Sequence, residues 1–588
     1  MIDWASYDRA IGLNWYAIDP DLQARVQRDC DPEDRPWADE LLSGFGALVG
    51  QRVAPNSEIV DAHPPELVRY DRWATEVGEV AHHPANLDSK QALWDAGYPS
   101  GFAGHEAERR RPTPGVVLGA SSYLLAQADT GLVCSLGMTS GVAGLVDRYA
   151  PADVRAPLMA GLRSPDAGTA VDGSMFLTER DGGSDLGRTV HCVARDVGDG
   201  RVAISGEKWF ASNVDGAAIV MLARPEGAPE GSAGLGLYLV PRTLEDGSPN
   251  HYVIRRLKQK LGTKSVPTGE VVFEEAIGYA LRGRSGGDPS GSEAAAGSDA
   301  GGLGRMMEMV NGSRFGVALM GLGIARRCFV EAAIWAHERE AKGRVLVDLP
   351  LVREQLVDLL VELEAAFALG FECADALRFS DGDRLRRILV PAAKNRLCRL
   401  GVEAASYTVE LYGGNGYCED WGLTRQLRDA QCHPIWEGSE NICTLDVLRA
   451  TRQQRAHEAV VARVEAALAT ARASGPAYVA PAVAAVAQAA EQLIQRADVL
   501  LAAEPEHAEA QSARLSSLLQ HTVSAALLLE QAAEDTPHAH HKALVARRYV
   551  NRHLLPEATW SDVSAAVAGR ELLAHAELPE SLATKAAA

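Results

Sequence analysis

Between residues 171 and 281 the chain changes its hydrophobic period, and this change narrows the available folds more than any other feature. On either side, apolar residues recur at helical spacing, as in 116–146, 303–340, 350–378 and 383–412. Inside it, RTVHCVAR (188–195), RVAISGEKWF (201–210), AAIVMLAR (217–224), LGLYLVPR (235–242) and TGEVVFEEA (268–276) read as strands, with GDG at 198–200 as a hairpin turn. The expected architecture is multidomain α+β. A helical N-terminal domain covers 1–170, with Pro/Gly breaks near 96–101 and 112–115, and a middle β-domain covers 171–284. A helical bundle covers 303–452. An Ala-rich helical region over 453–588 is broken near Gly475–Pro476, Pro505, Pro537 and Pro556. The stretch SGGDPSGSEAAAGSDAGG (285–302) has little to bury and is expected to be a mobile loop. A length of 588 residues suits three to four domains of ordinary size.

The net charge of −20 works against a generic nucleic-acid surface, although a local basic patch remains compatible with it. Nine cysteines, an odd number without C-x-x-C spacing, indicate reduced thiols rather than a disulfide scaffold. The start, MIDWASYDRA, has acidic residues where a signal peptide needs a basic end and an apolar run. No uninterrupted apolar stretch of about 18 residues occurs, so no membrane span is expected, and the expected location is the cytoplasm.

Two motifs carry chemistry. FLTERDGGSD (176–185) is a glycine-rich turn flanked by hydroxyls, able to bring backbone N–H groups close to a flat, polar-edged cofactor. IWEGSEN (435–441) sets Glu437 beside Trp436 and before Gly438. A carboxylate crowded by apolar surface loses solvation, and its pKa moves towards the range of a general base. Metal-ligand spacings are absent. HAHH (538–541) reads as a solvated helix start after Pro537 rather than a metal site.

Taken with HEREAKG (337–343), ELYGGNGYCED (410–420) and QLRDAQCHPIWEGSEN (426–441), the order helical, β, helical resembles the acyl-CoA dehydrogenase superfamily over roughly residues 60–450. PPELVRYD (64–71), HHPA (82–85), RLKQKLGTKS (256–265) and WEGSENICTLDVLR (436–449) are similar to its adaptive-response, AidB-like branch. The resemblance implies an acyl-CoA dehydrogenase fold: an N-terminal helical domain, a middle β-domain and a C-terminal four-helix bundle, followed here by an additional helical region. It also implies FAD, an acyl-CoA thioester substrate, and a homo-oligomer, tetramer or dimer, in which a neighbouring subunit completes the flavin site. The electron acceptor stays open between electron-transfer flavoprotein, oxygen and neither.

Residue by residue, the resemblance makes Glu437 the base that takes the α-proton while the β-hydrogen leaves as hydride to flavin N5. Phe176 and Thr178 fall at the flavin edge. Gly182 and Gly183 allow close backbone approach, and Ser184 lies near the phosphopantetheine or a flavin phosphate. Phe210 stands where a Trp commonly covers the ring, and Ser212 where a Thr hydroxyl meets N5. Arg339 corresponds to an arginine on the FAD pyrophosphate of the adjacent subunit. Lys342 replaces an aromatic close by. Gly413, Gly414 and Gly416 approach a partner's FAD, Ser439 and Asn441 touch FAD, and Arg314 lines the substrate side, with Asn311 in place of an Asp. Each position also has a plain structural reading. Glu437 suits a surface helix start, 176–185 a hairpin turn, Phe210 a buried strand aromatic, Arg339 a helix surface, and Gly413–Gly416 a helix C-cap.

Three functions compete. The favoured one is a flavin-dependent acyl-CoA dehydrogenase forming a trans-2,3 double bond. The second is a stress-response flavoprotein that binds double-stranded DNA through its C-terminal region, with weak or no dehydrogenase activity, as the resemblance to the AidB-like branch implies. The third is an inactive scaffold. Residues 451–588 hold 12 Lys and Arg against 15 Asp and Glu, and their one basic cluster, Lys542, Arg547, Arg548 and Arg552, reads as a solvated helix face. Backbone-driven DNA binding needs several neutralised phosphates, so DNA is not favoured.

Overall fold

The computed structural model describes residues 1–282, 301–375, 384–534, 536–555 and 564–587. The loop expected over 285–302 lies outside them except for its last two residues, and Gly302 already opens a helix. The break at Pro556 also lies outside. The chain forms two compact units: Met1–Gln51 with Gly115–Ala128 and Val317–Ala588, and Arg52–Pro114 with Asp129–Gly316.

The second unit holds the β-structure. Strands β1 (Glu66–Tyr70) and β2 (Glu76–Ala81) form an antiparallel hairpin inside the region expected to be helical. Their side chains are mostly exposed, so no clean apolar alternation marks them in the sequence. Seven further strands make one sheet: β3 (Gly173–Phe176), β4 (Val193–Gly198), β5 (Arg201–Ser212), β6 (Ala218–Pro225), β7 (Gly236–Pro241), β8 (Tyr252–Leu257) and β9 (Thr268–Ala280). The path β6–β4–β5–β9–β7 closes on itself because β7 also pairs with β6, while β3 adds to β6 and β8 to β9. The β4–β5 turn has Asp199 and Gly200 both at positive φ, the geometry of a primed hairpin turn, as GDG predicted. The start of the strand expected at 188–195 is instead a helical turn, Leu186–Thr189, whose last amides return to the Asp185 carbonyl.

β6 shows why this sheet is stable. It is apolar on both faces, and its side chains alternate between two cores. Ile219, Met221 and Ala223 join Phe176, Ile204, Tyr238 and Phe273 in the sheet's interior. Ala218, Val220 and Leu222 join Val142, Val146, Leu237 and Leu239 in a second cluster, which includes residues of helix Thr130–Tyr149. Each fully buried Ile, Leu or Val there contributes roughly 1.5–3 kcal/mol.

The first unit is helical. In it the segment of helix Gly302–Glu338 beyond residue 316 crosses helix Arg384–Tyr412 at Gly321 and Gly401. A β-carbon on Gly321 would lie 2.6 Å from the Leu397 carbonyl oxygen, so only glycine lets the backbones meet. Helices Ala456–Ser474, Ala480–Ala502, Pro505–Gln531 and Ala539–His553 follow, with interruptions at Pro476, Pro505 and Pro537 as expected. By length and composition alone, Thr130–Tyr149 and Ala477–Ala502 could cross a membrane; the first spends its apolar residues on the core just described.

The basic cluster of the C-terminal region is not a solvated face. Lys542 donates to Glu364 (2.6 Å) and pairs with Asp21 (2.7 Å). Arg548 pairs with Glu354 and Asp358, Arg552 with Asp358 and Glu362, and Arg547 donates to the Ala587 carbonyl. HAHH is corrected likewise. His541 is completely buried, hydrogen-bonded to Glu364 (2.7 Å) and stacked on His575. Glu364, His541 and His575 bring metal-ligating atoms within 4.8 Å of one another, but the Lys542 ammonium is already paired with the Glu364 carboxylate there. The reason for both misreadings is that the acidic partners are remote in sequence: Asp21 lies near the start of the chain, and the others sit on helix Pro350–Asp375, about 180 residues away.

Candidate active site

In the second unit, the turn after β3 is built around a buried ion pair. Lys208, on β5, donates to Glu179 Oε1 (2.7 Å) and to the carbonyls of Leu177 (3.2 Å) and Leu222 (2.9 Å). Glu179 also accepts from the amides of His191 and Cys192. Burial alone would raise its carboxyl, but the Lys208 charge and these donors outweigh burial and hold it below its ordinary value. Glu179 is therefore structural, and it anchors the turn that carries Thr178, Gly182, Gly183 and Ser184. Gly182 adopts φ +112° and donates its amide to the Glu179 carbonyl. A β-carbon on Gly183 would come within 2.5 Å of Thr178 Oγ1, so the glycine fixes where that half-buried hydroxyl points. Ser184 is exposed. The Phe176 side chain lies wholly in the sheet's interior, leaving only its backbone for a ligand.

The Trp209 amide donates to the Thr178 carbonyl (2.8 Å), bringing β5 beside the turn. Phe210 is 53% exposed rather than buried, which removes its plain structural reading. Ser212 shares a hydrogen bond with Thr268 (3.0 Å) on β9. Lys258 places its ammonium 3.7 Å from the Trp209 ring centre and 4.8 Å from that of Phe210. Lys258 lies in RLKQKLGTKS, which marked a resemblance but gave no hint of this role. Arg314 is buried near the start of helix Gly302–Glu338, with Nη1 3.4 Å from Asn311 Oδ1.

In the first unit, Glu437 sits in a turn between helices Leu423–Ala430 and Glu440–Gln454. It is half-buried and has φ +52°, a left-handed backbone that costs a non-glycine residue about 1–3 kcal/mol; Gly438 follows at φ +103°. Ser439 is the N-cap of the next helix, yet its hydroxyl makes no capping bond, and Asn441 is exposed beside it. Beneath the turn lies Lys394, whose Nζ donates to the carbonyls of Pro434 (3.0 Å) and Gly438 (2.5 Å). His433 is also buried, and burial, followed by the Lys394 charge, pushes its pKa down to about 3.

Arg339 and the glycine run come together at another corner of this unit. Trp335 and Tyr412, near the ends of their helices, stack at 4.3 Å, with Trp421 edge-on to both. The Arg339 amide bonds to the Trp335 carbonyl, and Gly413 follows Tyr412 at φ +63°. Gly413 does end the helix, yet Gly413 and Gly414 are exposed with open space where a β-carbon would stand. Arg339 is exposed and has no ion-pair partner among the described residues. Lys342 and Gly343, both at positive φ, form the tight turn of a short hairpin next to it. Only Gly416 is closely packed, against the Val409 carbonyl.

Three family profiles match the chain: Adaptive response protein AidB N-terminal domain over 8–166, Acyl-CoA dehydrogenase middle domain over 174–276, and Acyl-CoA dehydrogenase C-terminal domain over 300–451. The putative acyl-CoA dehydrogenase AidB of Escherichia coli is 32% identical over 456 residues, which is 75% of this chain and 78% of that protein. The crystal structure of Caenorhabditis elegans ACDH-11 in complex with C11-CoA matches with a TM-score of 0.84 at 26% identity, covering 95% of this chain and 96% of that one. An acyl-CoA dehydrogenase from Bacillus anthracis complexed with FAD has the same fold at 15% identity, with a TM-score of 0.70 over 96% and 95% of the two chains.

Proposed function

Because this chain belongs to the acyl-CoA dehydrogenase family, in the branch with an AidB N-terminal domain, we propose that it oxidises a saturated acyl-CoA thioester, with Glu437 removing the α-proton. The observation that carries this reading is the backbone of Glu437. A carboxylate held half-buried at a strained φ, on a turn anchored to a buried lysine, is a side chain aimed by its scaffold rather than a loose surface acid.

FAD is the cofactor, and it supplies a ring that accepts two electrons from the β-carbon–hydrogen bond. The residues present suit it. Thr178, Ser212 and the Gly182–Gly183 backbone offer neutral donors and acceptors for polar ring edges, and Phe210 offers an exposed aromatic face. Arg339, exposed and one helical turn past the Trp335–Tyr412 stack that leads into the open Gly413–Gly414 backbone, suits a pyrophosphate. Ser439 and Asn441 keep polar side chains exposed immediately after the base.

The remaining chemistry belongs to this chain. An α-proton next to a thioester is weakly acidic, so the base must be held at a fixed distance with little water around it. Glu437 then accepts the proton at a carboxylate oxygen, and donors at the thioester oxygen stabilise the charge that develops there. The C11-CoA of the nematode relative supports a thioester substrate of this class. Glu437→Gln removes the proton acceptor while preserving shape. The variant is expected to purify yellow but to show no anaerobic flavin bleaching with acyl-CoA thioesters that bleach the parent. Turnover in that variant would exclude Glu437 as the base.

A further inference from the structure

We propose that Lys394 is the positioning residue for the catalytic turn: its ammonium clamps the carbonyls of Pro434 and Gly438, and this clamp keeps Glu437 in its left-handed backbone conformation. The inference rests on the reading of Glu437 as the base.

Lys394 is wholly buried within helix Arg384–Tyr412, and no carboxylate lies within ion-pair distance of it among the described residues. A buried ammonium without a counter-ion is costly unless its donors are satisfied. Here two backbone carbonyls satisfy it, and they are the ones that bracket Ile435, Trp436 and Glu437. Carbonyl dipoles pointing at one spot repel each other, and a shared cation removes the repulsion. Without it, both carbonyls would turn away and the residues between them would relax.

The neighbouring side chains lock the same segment from the same helix. Asn395 donates to the Glu440 carbonyl and to Thr444 Oγ1, both at 3.1 Å, and Arg399 pairs with the Glu440 carboxylate (2.8 Å). One helix therefore holds residues 434–444 through three polar side chains, Lys394, Asn395 and Arg399. His433, the other buried titratable group at this turn, is neutral and adds no competing charge. Its ring nitrogens have no hydrogen-bond partner among the described residues, so it does not serve as the clamp.

Lys394→Met keeps the stem and deletes the donors, while Lys394→Gln keeps an amide donor without the charge. With C11-CoA as the substrate and a redox dye as the electron acceptor, K394M is expected to retain FAD and a KM within about 3-fold of the parent while kcat falls about 100-fold. K394Q is expected to recover roughly 10-fold of that loss. A crystal structure of K394M is expected to show residues 434–438 displaced and Glu437 out of the positive-φ region. Unchanged kcat in K394M, or a turn that superposes on the parent's, overturns the proposal. E437Q run alongside separates the two readings. If E437Q is inactive and K394M is not, only the clamp fails. If E437Q stays active, or the parent does not turn over, the base reading fails, and the crystal comparison still decides the clamp. Should K394M not fold, K394R carries the test. Its guanidinium cannot set one nitrogen between both carbonyls, so FAD-loaded K394R is expected to lose kcat, and full kcat in K394R overturns the proposal.

Discussion

At position 437 the chain holds a carboxylate in a backbone conformation that favours glycine, and positions 182 and 183 show the complementary economy. Gly182 accepts a φ that L-residues avoid, and Gly183 leaves room for the Thr178 hydroxyl. Gly183→Ala must push Thr178 out of place, so it is expected to lower FAD occupancy and to cost about 1–3 kcal/mol of stability. The flavin-to-protein absorbance ratio and a thermal melt check this, and full FAD retention would show that the Thr178 hydroxyl is not a cofactor contact. At this scale the motif residues were legible because they stand in short contiguous strings. Lys394, Lys208 and Glu179 were not, because a charged residue in a strand or helix reads as a surface group until its buried partner is known. For Phe210 it is the plain reading as a buried strand aromatic that fails, since strand alternation cannot tell an interior aromatic from one left bare on a sheet face.

Among elements, the long strands and helices were visible through their apolar period. β1, β2, β3 and β8 were not, since each is short or mostly polar on its surface. The helix Ala539–His553 is the most instructive case. Its basic face meets Glu354, Asp358, Glu362 and Glu364 on helix Pro350–Asp375. Burial would raise the Glu364 carboxyl, but Lys542, followed by His541, holds it well below its ordinary value, and Asp21 is lowered in the same way by Lys542. Carboxyls depressed by folding stabilise the protein above their unfolded pKa of about 4 and lose that contribution as pH falls through the folded value. His575 works in the opposite sense. Asp21 and Glu364 raise its pKa against the effect of burial, so its contribution is complete below about pH 6.5 and fades as pH rises through the folded value. The melting temperature should therefore drop as pH is lowered from about 5 to 3. Lys542→Met, which leaves two acids without their cation, should cost about 3–5 kcal/mol at neutral pH. Thermal melts across pH check both; an unchanged melt in K542M would mean that the cluster carries no net stability.

For the whole molecule, a net charge of −20 combines with a basic cluster that is already committed to internal carboxylates. That cluster thus offers DNA few free cations, and non-specific binding weakens steeply with salt. A gel shift with double-stranded DNA at near-physiological salt is expected to show no submicromolar complex, and a salt-sensitive one of that strength would revive the DNA-binding reading. The overall order of helical, β and helical parts was readable from changes of period, and the family from its motifs. What no window of sequence displayed is that the first 128 residues are shared between both units, because that depends on contacts hundreds of positions apart.

Lys542 and the arginines of Ala539–His553 make the last quarter of the chain more than an appendix to a familiar enzyme. Cut the gene after the bundle and the remaining protein keeps a row of anions whose neutralising half has been thrown away. Grafting this tail onto another scaffold would fail for the mirror-image reason wherever the recipient lacks the acids that receive it. The two halves behave as lock and key cast from one mould, and an engineer must move them together or leave both where they are.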